Sequence, residues 1–197
     1  ETGVTFGLFV HDLIQIKNPE YVHHEATLVF RTSLVDVLSV ANFVLTNSNY
    51  VAGEVRDFLE TRLNLTLPVE AVPLATELRR LPGGKKAIGP AVQAVGRKDF
   101  VLCVGTIEVR KNHLLLIEVW QRLIARFGDA VPLLVFVGKW GWDIDELRDA
   151  IARLDNLDGR LVVFDRATDA ELEHLYETCL FTAYPSFAEG FGLPVGE

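Results

Sequence analysis

The sequence predicts an α/β protein with parallel sheets, divided into two domains. Three observations predict it. Seven short β-rich runs are mostly continuous apolar stretches, the pattern of strands covered on both faces. Helical stretches separate most of them, and strand–helix–strand repetition calls for right-handed crossovers within a parallel sheet. One interval, residues 75–98, breaks the rhythm with dense Gly and Pro and little apolar periodicity.

The elements follow in order. The strand runs are 4–10 (VTFGLFV), 43–46 (FVLT), 69–74 (VEAVPL), 100–105 (FVLCVG), 132–138 (PLLVFVG), 160–164 (RLVVF) and 180–185 (LFTAYP). Helical patterns cover about 21–41, 49–63, 112–127, 143–154 and 169–179, the last opened by Thr168-Asp169-Ala170-Glu171, a capping box. The interval 75–98 reads as a linker, because long structureless loops are uncommon within a compact domain. The boundary is therefore set at 85/86. Residues 1–85, with three strands and two long helices, read as the later part of one Rossmann-like domain, and 86–197 as a second.

Composition narrows the function. The 197 residues are 49% apolar and 23% charged, enough for a real core. Lys+Arg 19 against Asp+Glu 27 gives −8, which argues against tracking nucleic-acid phosphates. Cys103 and Cys179 lie in apolar runs and read as buried thiols, and no Cys/His spacing suits a structural metal. The lipophilic stretch from Ala26 to Leu45 is interrupted by Arg31 and Asp36, short of the roughly 20 apolar residues of a membrane span. Val4–Val10 has no basic segment before it, so it is not read as a signal peptide. With Met 0, the chain reads as a processed product or a fragment.

Ligands of open parallel sheets bind beyond the carboxyl ends of strands. After the fourth run comes Gly105-Thr106-Ile107-Glu108-Val109-Arg110-Lys111-Asn112. Two adjacent cations before a helix are disfavoured by its dipole, so they ask for an anionic partner such as phosphate. After the seventh run comes Glu189-Gly190-Phe191-Gly192-Leu193-Pro194-Val195-Gly196-Glu197. Glycine turns expose backbone N–H groups to phosphate, and the two carboxylates can accept bonds from sugar hydroxyls.

These segments resemble the retaining glycosyltransferases of family four, which have the two-domain GT-B fold. Glu189 to Glu197 is similar to the family's Glu-x7-Glu motif with its Gly-Phe-Gly-Leu-Pro centre. Gly105 to Asn112 looks like its phosphate-binding turn, His11-Asp12-Leu13-Ile14 like its His-Asp loop, and Thr46-Asn47-Ser48-Asn49-Tyr50 like the segment before the next helix. The resemblance implies that Lys111 and Arg110 meet the donor diphosphate, with Gly105, Thr106 and the backbone of Phe191, Gly192 and Leu193. Thr106 stands where many relatives carry Arg, and Val109 where Pro is usual. Glu189 would hold donor-sugar hydroxyls and Glu197 the ribose. Asp165, Arg166 and Ala167 would lie along the nucleobase, and His11 would reach the transferred sugar; His11 and Glu189 are the catalytic candidates.

The chemistry so implied is transfer of a sugar, with retention, from a UDP- or GDP-linked donor to a carbohydrate or lipid-linked acceptor, as in polysaccharide assembly of mannosyl or rhamnosyl type. Placed cations and N–H dipoles would stabilise the departing diphosphate. If Lys111 and Arg110 neutralise the phosphates no metal is needed, so neither a metal nor a cofactor is expected. The expected setting is cytoplasmic, and a full-length enzyme could sit at the inner face of the membrane. A non-catalytic nucleotide-sugar module or a sugar-nucleotide epimerase on the same fold is the alternative. Both domains look truncated, so the chain alone is expected to be marginal.

Overall fold

The computed structural model describes residues 3–22, 24–74 and 87–196. The described residues form two compact units. The first takes residues up to 74 together with Ala188–Leu193, and the second takes 87–187 together with residues 194–196. The expected boundary at 85/86 lies outside the described residues, as does the stretch 75–86 of the expected linker.

In the first unit, β1 (Gly7–Val10), β2 (Phe43–Thr46) and β3 (Val69–Ala71) form a parallel sheet in the order β1-β2-β3. The helix His24–Val40 carries the β1-to-β2 crossover, and Asn49–Phe58 carries β2 to β3. The second of these continues as a π-turn, Leu59–Leu63, which ends where Asn64 turns left-handed (φ 52°). Leu38, Val44, Val51, Val55 and Leu59 form its buried centre.

In the second unit the order is β6-β5-β4-β7, all parallel: β4 (Phe100–Val104), β5 (Leu133–Val137), β6 (Leu161–Phe164) and β7 (Phe181–Thr182). Both faces are covered. Val101, Cys103, Leu134 and Phe136 pack on Ile117 and Trp120 of the helix His113–Phe127 and on Leu147 of Asp145–Arg153. Phe100, Leu102, Val135 and Val137 pack on the opposite side against Val92, Val95 and Leu175. This alternation explains why the strand runs are apolar without a break: both faces of the two central strands are covered.

Three expectations need correction. The interval 75–98 is not all linker, because Pro90–Val95 is a helix with Val92 and Val95 buried. Pro90 at its first turn favours helix entry, since its missing N–H is one that a first turn leaves unpaired anyway. The helix expected over 143–154 is shorter, and residues 155–158 take positive φ instead. Cys179 is only half-buried, whereas Cys103 is fully buried; both are free thiols. The capping box forms as expected: Thr168 Oγ1 accepts from the Glu171 N–H, and the Glu171 carboxylate accepts from the Thr168 N–H at 2.9 Å. It opens the helix Asp169–Thr178.

Candidate functional site

In the second unit the loops at the carboxyl ends of β4, β5 and β6 are stitched together by backbone bonds. The Gly105 N–H donates to the Val137 carbonyl (2.9 Å), the Gly138 N–H to Phe164 (2.9 Å), and the Ile107 N–H to Lys139 (2.8 Å). Gly138 is required here, since a Cβ on it would overlap the Gly105 carbonyl oxygen. The close approach fixes where the chain leaves β4.

From there the dibasic segment forms a single 3-10 turn, Val109–Lys111, and Asn112 then turns left-handed (φ 55°) into the helix His113–Phe127. Arg110 and Lys111 are both half-buried. The Arg110 guanidinium donates to the Glu108 carboxylate at 2.7 Å. Lys111 Nζ stands 5.3 Å from the centre of the Tyr184 ring and 3.5 Å from its hydroxyl. Asn112 makes no side-chain cap for the helix that follows it. Its amide donates instead to the Pro185 carbonyl (3.2 Å), and the Phe187 N–H donates to the Arg110 carbonyl (2.9 Å). The chain beyond β7 is thus laced to the dibasic turn. A lysine held over an aromatic face, beside a helix start without a side-chain cap, favours an anion.

Beneath the turn, His113 is 2% exposed and its ring meets Phe136 edge-on at 4.7 Å. Burial, reinforced by the charge of Lys111, pushes its pKa down to about 4, so it is neutral at pH 7. Burial pushes the Cys103 thiol up to about 12. It is therefore a packing group and no thiolate nucleophile. His113 is therefore a packing residue of the core beneath the turn.

The remaining expected site residues are distributed between the units. Gly105, Thr106, Arg110 and Lys111 share the end of β4, while Asp165 and Arg166, both exposed, and the partly buried Ala167 follow β6. His11 follows β1 in the first unit, exposed, with its ring 4.8 Å from that of Phe9. Glu189, Phe191, Gly192 and Leu193 belong to the segment Ala188–Leu193, which groups with this unit. There a Cβ on Gly190 would fall on the His11 carbonyl oxygen, and the Gly190 carbonyl accepts from the Ser48 hydroxyl (3.1 Å). The same hydroxyl caps the helix Asn49–Phe58 by accepting from the Val51 N–H. Glu197 lies outside the described residues.

Two contributors escape the sequence reading. Tyr184 supports Lys111, and Glu108 orients Arg110. Each sits inside a segment already singled out, yet only pairing across 73 residues reveals the first. Among the described residues no His, Cys, Asp and Glu group could hold a metal ion, and no helix is long and apolar enough to cross a membrane.

A family model described as "Glycosyl transferases group 1" matches residues 85–197. The chain is 28% identical over 189 residues to the O-antigen chain mannosyltransferase B of Escherichia coli, covering 95% of this chain and 48% of that protein. It is 27% identical over 204 residues to the serotype-specific mannosyltransferase WbdA of Escherichia coli, covering 98% of this chain and 24% of that one. The chain thus spans about half the length of the first relative and about a quarter of the second. Among solved structures it is similar to a UDP-forming α,α-trehalose-phosphate synthase from Burkholderia vietnamiensis (TM-score 0.65, 13% identity, 94% of this chain and 46% of that one). Sucrose-phosphate synthase from Thermosynechococcus elongatus gives TM-score 0.65 at 18% identity, over 95% of this chain and 46% of that one. At such identities the likeness shows the fold, which is of GT-B type.

Proposed function

Since the chain belongs to the glycosyl transferases group 1 family, we propose that it carries the donor-binding part of a retaining, mannosyl-type transferase acting in polysaccharide assembly. The single observation that carries this reading is Lys111 held over Tyr184 at the carboxyl end of β4. In this reading Lys111 neutralises the diphosphate of a GDP- or UDP-linked sugar, joined by the Arg110 guanidinium, which Glu108 orients. Charge developing on the leaving oxygens is then met by fixed cations and N–H dipoles, the kind of preorganised stabilisation that lowers such barriers most. Neutralisation by side chains would make transfer insensitive to chelators, and activity lost in EDTA and restored by Mg2+ contradicts that part.

Asp165, Arg166 and Ala167 take the nucleobase, Glu197 the ribose, and the backbone of Phe191 to Leu193 the phosphates. Glu189 accepts from hydroxyls of the donor sugar, and His11 bonds the sugar in transfer. The acceptor is a carbohydrate, free or lipid-linked. The deciding experiment incubates the full-length protein with GDP-mannose, UDP-glucose and dTDP-rhamnose, with and without mannose-terminated acceptors, and reads product linkage and anomeric configuration. Retained configuration at a new glycosidic bond supports the proposal. Binding without turnover by the full-length protein would favour a nucleotide-sugar module, and a changed sugar without acceptor an epimerase.

A further inference from the structure

The second unit holds a cavity of about 240 Å³ beside the dibasic turn, lined among others by Glu108, His113, Asp143, Glu146, Leu147 and Phe187. Three features describe what it would accept. His113 is 2% exposed, and neither ring nitrogen has a hydrogen-bond partner. A buried polar atom left unpaired costs about 1–3 kcal/mol, so this wall gains from a ligand bearing hydroxyls. Phe187 is 54% exposed and offers an aromatic ring at the rim. Glu108, Asp143 and Glu146 bring carboxylates, which accept from hydroxyls and repel anions.

Anions are therefore excluded, and with them the phosphates assigned to Lys111. The Glu108 carboxylate is already engaged by Arg110 at 2.7 Å, which lessens the pull on a cation. Neutral His113 has one donor and one acceptor nitrogen, a set that suits a hydroxyl and not an ammonium. The volume lies just below the roughly 300–1,000 Å³ of ordinary ligand pockets, room for one ring and not for a nucleotide. Apolar C–H faces with equatorial and axial hydroxyls are the surface of a pyranose.

We propose that this cavity binds a single neutral hexopyranose unit, stacked on Phe187 and hydrogen-bonded to Asp143, Glu146 and His113, as an anchoring subsite for glycan. Both His113 nitrogens are buried, so a shift of the ring accompanies binding. The site is separate in chemistry from the phosphate site and does not rest on the role given to Lys111.

The test is saturation-transfer NMR of the full chain with methyl α-D-mannoside and methyl α-D-glucoside at millimolar concentration. Transfer to the ring protons is expected, reduced about fivefold in Phe187→Ala, the loss of roughly 1 kcal/mol of aromatic contact. Asp143→Asn should reduce it similarly; Asp143 has φ 52°, which Asn tolerates, so the fold is kept. Lys111→Ala and saturating GDP should leave it unchanged, and far-UV circular dichroism should match wild type for each variant. Absent transfer, transfer untouched by both cavity variants, displacement by GDP, or tetramethylammonium binding in place of the glycosides would each overturn the proposal.

Discussion

The loop after β4 and the loop after β6 end on the same edge of one sheet, yet they are built in opposite ways. The first is tied down by bonds from Ile107 to Lys139, Phe187 to Arg110 and Asn112 to Pro185, and its two cations are half-buried. The second leaves Asp165 and Arg166 exposed, ahead of the Thr168 capping box. The difference separates two tasks. On the proposed reading, a charge that must be stabilised without reorganisation needs fixed partners, whereas a loop proposed to meet a nucleobase edge can stay adjustable.

The comparison breaks most directly at Gly138. Gly138→Ala forces a carbon into the Gly105 carbonyl, and stability should fall by about 3 kcal/mol, the upper part of the overpacking range, measured by urea unfolding. If the protein tolerates it within experimental error, the β4 loop is not rigid in the sense described. Next is the buried imidazole under the turn. His113 has a folded pKa of about 4 against 6.5 when unfolded, so between those values only the unfolded chain takes up the proton. Stability is therefore full above pH 6.5, falls as pH drops through that window by roughly 3 kcal/mol, and flattens below pH 4. His113→Gln should flatten that stretch of the stability–pH curve.

Lys111→Ala should weaken GDP or UDP binding by about 1.5–3 kcal/mol, one charge-assisted hydrogen bond, as read by calorimetry. Unchanged affinity would remove Lys111 from the site. The smallest effect belongs to the looser side: Thr168→Ala should cost about 1 kcal/mol of stability through the lost cap and leave nucleotide affinity within twofold. A large affinity loss there would show that the β6 loop depends on the helix behind it, and the contrast between the loops would narrow.

What could be read from residues alone follows the same division. All seven strands were legible because burial on both faces writes itself as unbroken apolar runs. The capping box was legible because it is complete within four residues. The helix Pro90–Val95 was obscured by the Gly and Pro around it, although Pro90 at its start is helix-compatible. The cations were visible as Arg110-Lys111, but their supports were not. Glu108 lies in the same turn and could pair or face solvent equally well in sequence. Tyr184 lies in the apolar run 180–185, where an aromatic more often signals packing. Gly190 is visible as a turn residue, but the reason for it, the His11 carbonyl, lies in an element at the other end of the chain. Local sequence carries local geometry, and partners brought together by topology have no signature until the sheet order is known.

The last strand of the second sheet is laid beside β4, its first, and the segment following it braces the lysine 73 residues upstream. A ribosome therefore releases the cationic turn well before the aromatic that steadies it. During that interval the nascent chain exposes an unsupported strand edge and an unbraced positive group, an opening for chaperones or for mispairing. Competence for anions should arrive abruptly, when residues near Tyr184 leave the exit tunnel, instead of growing with chain length.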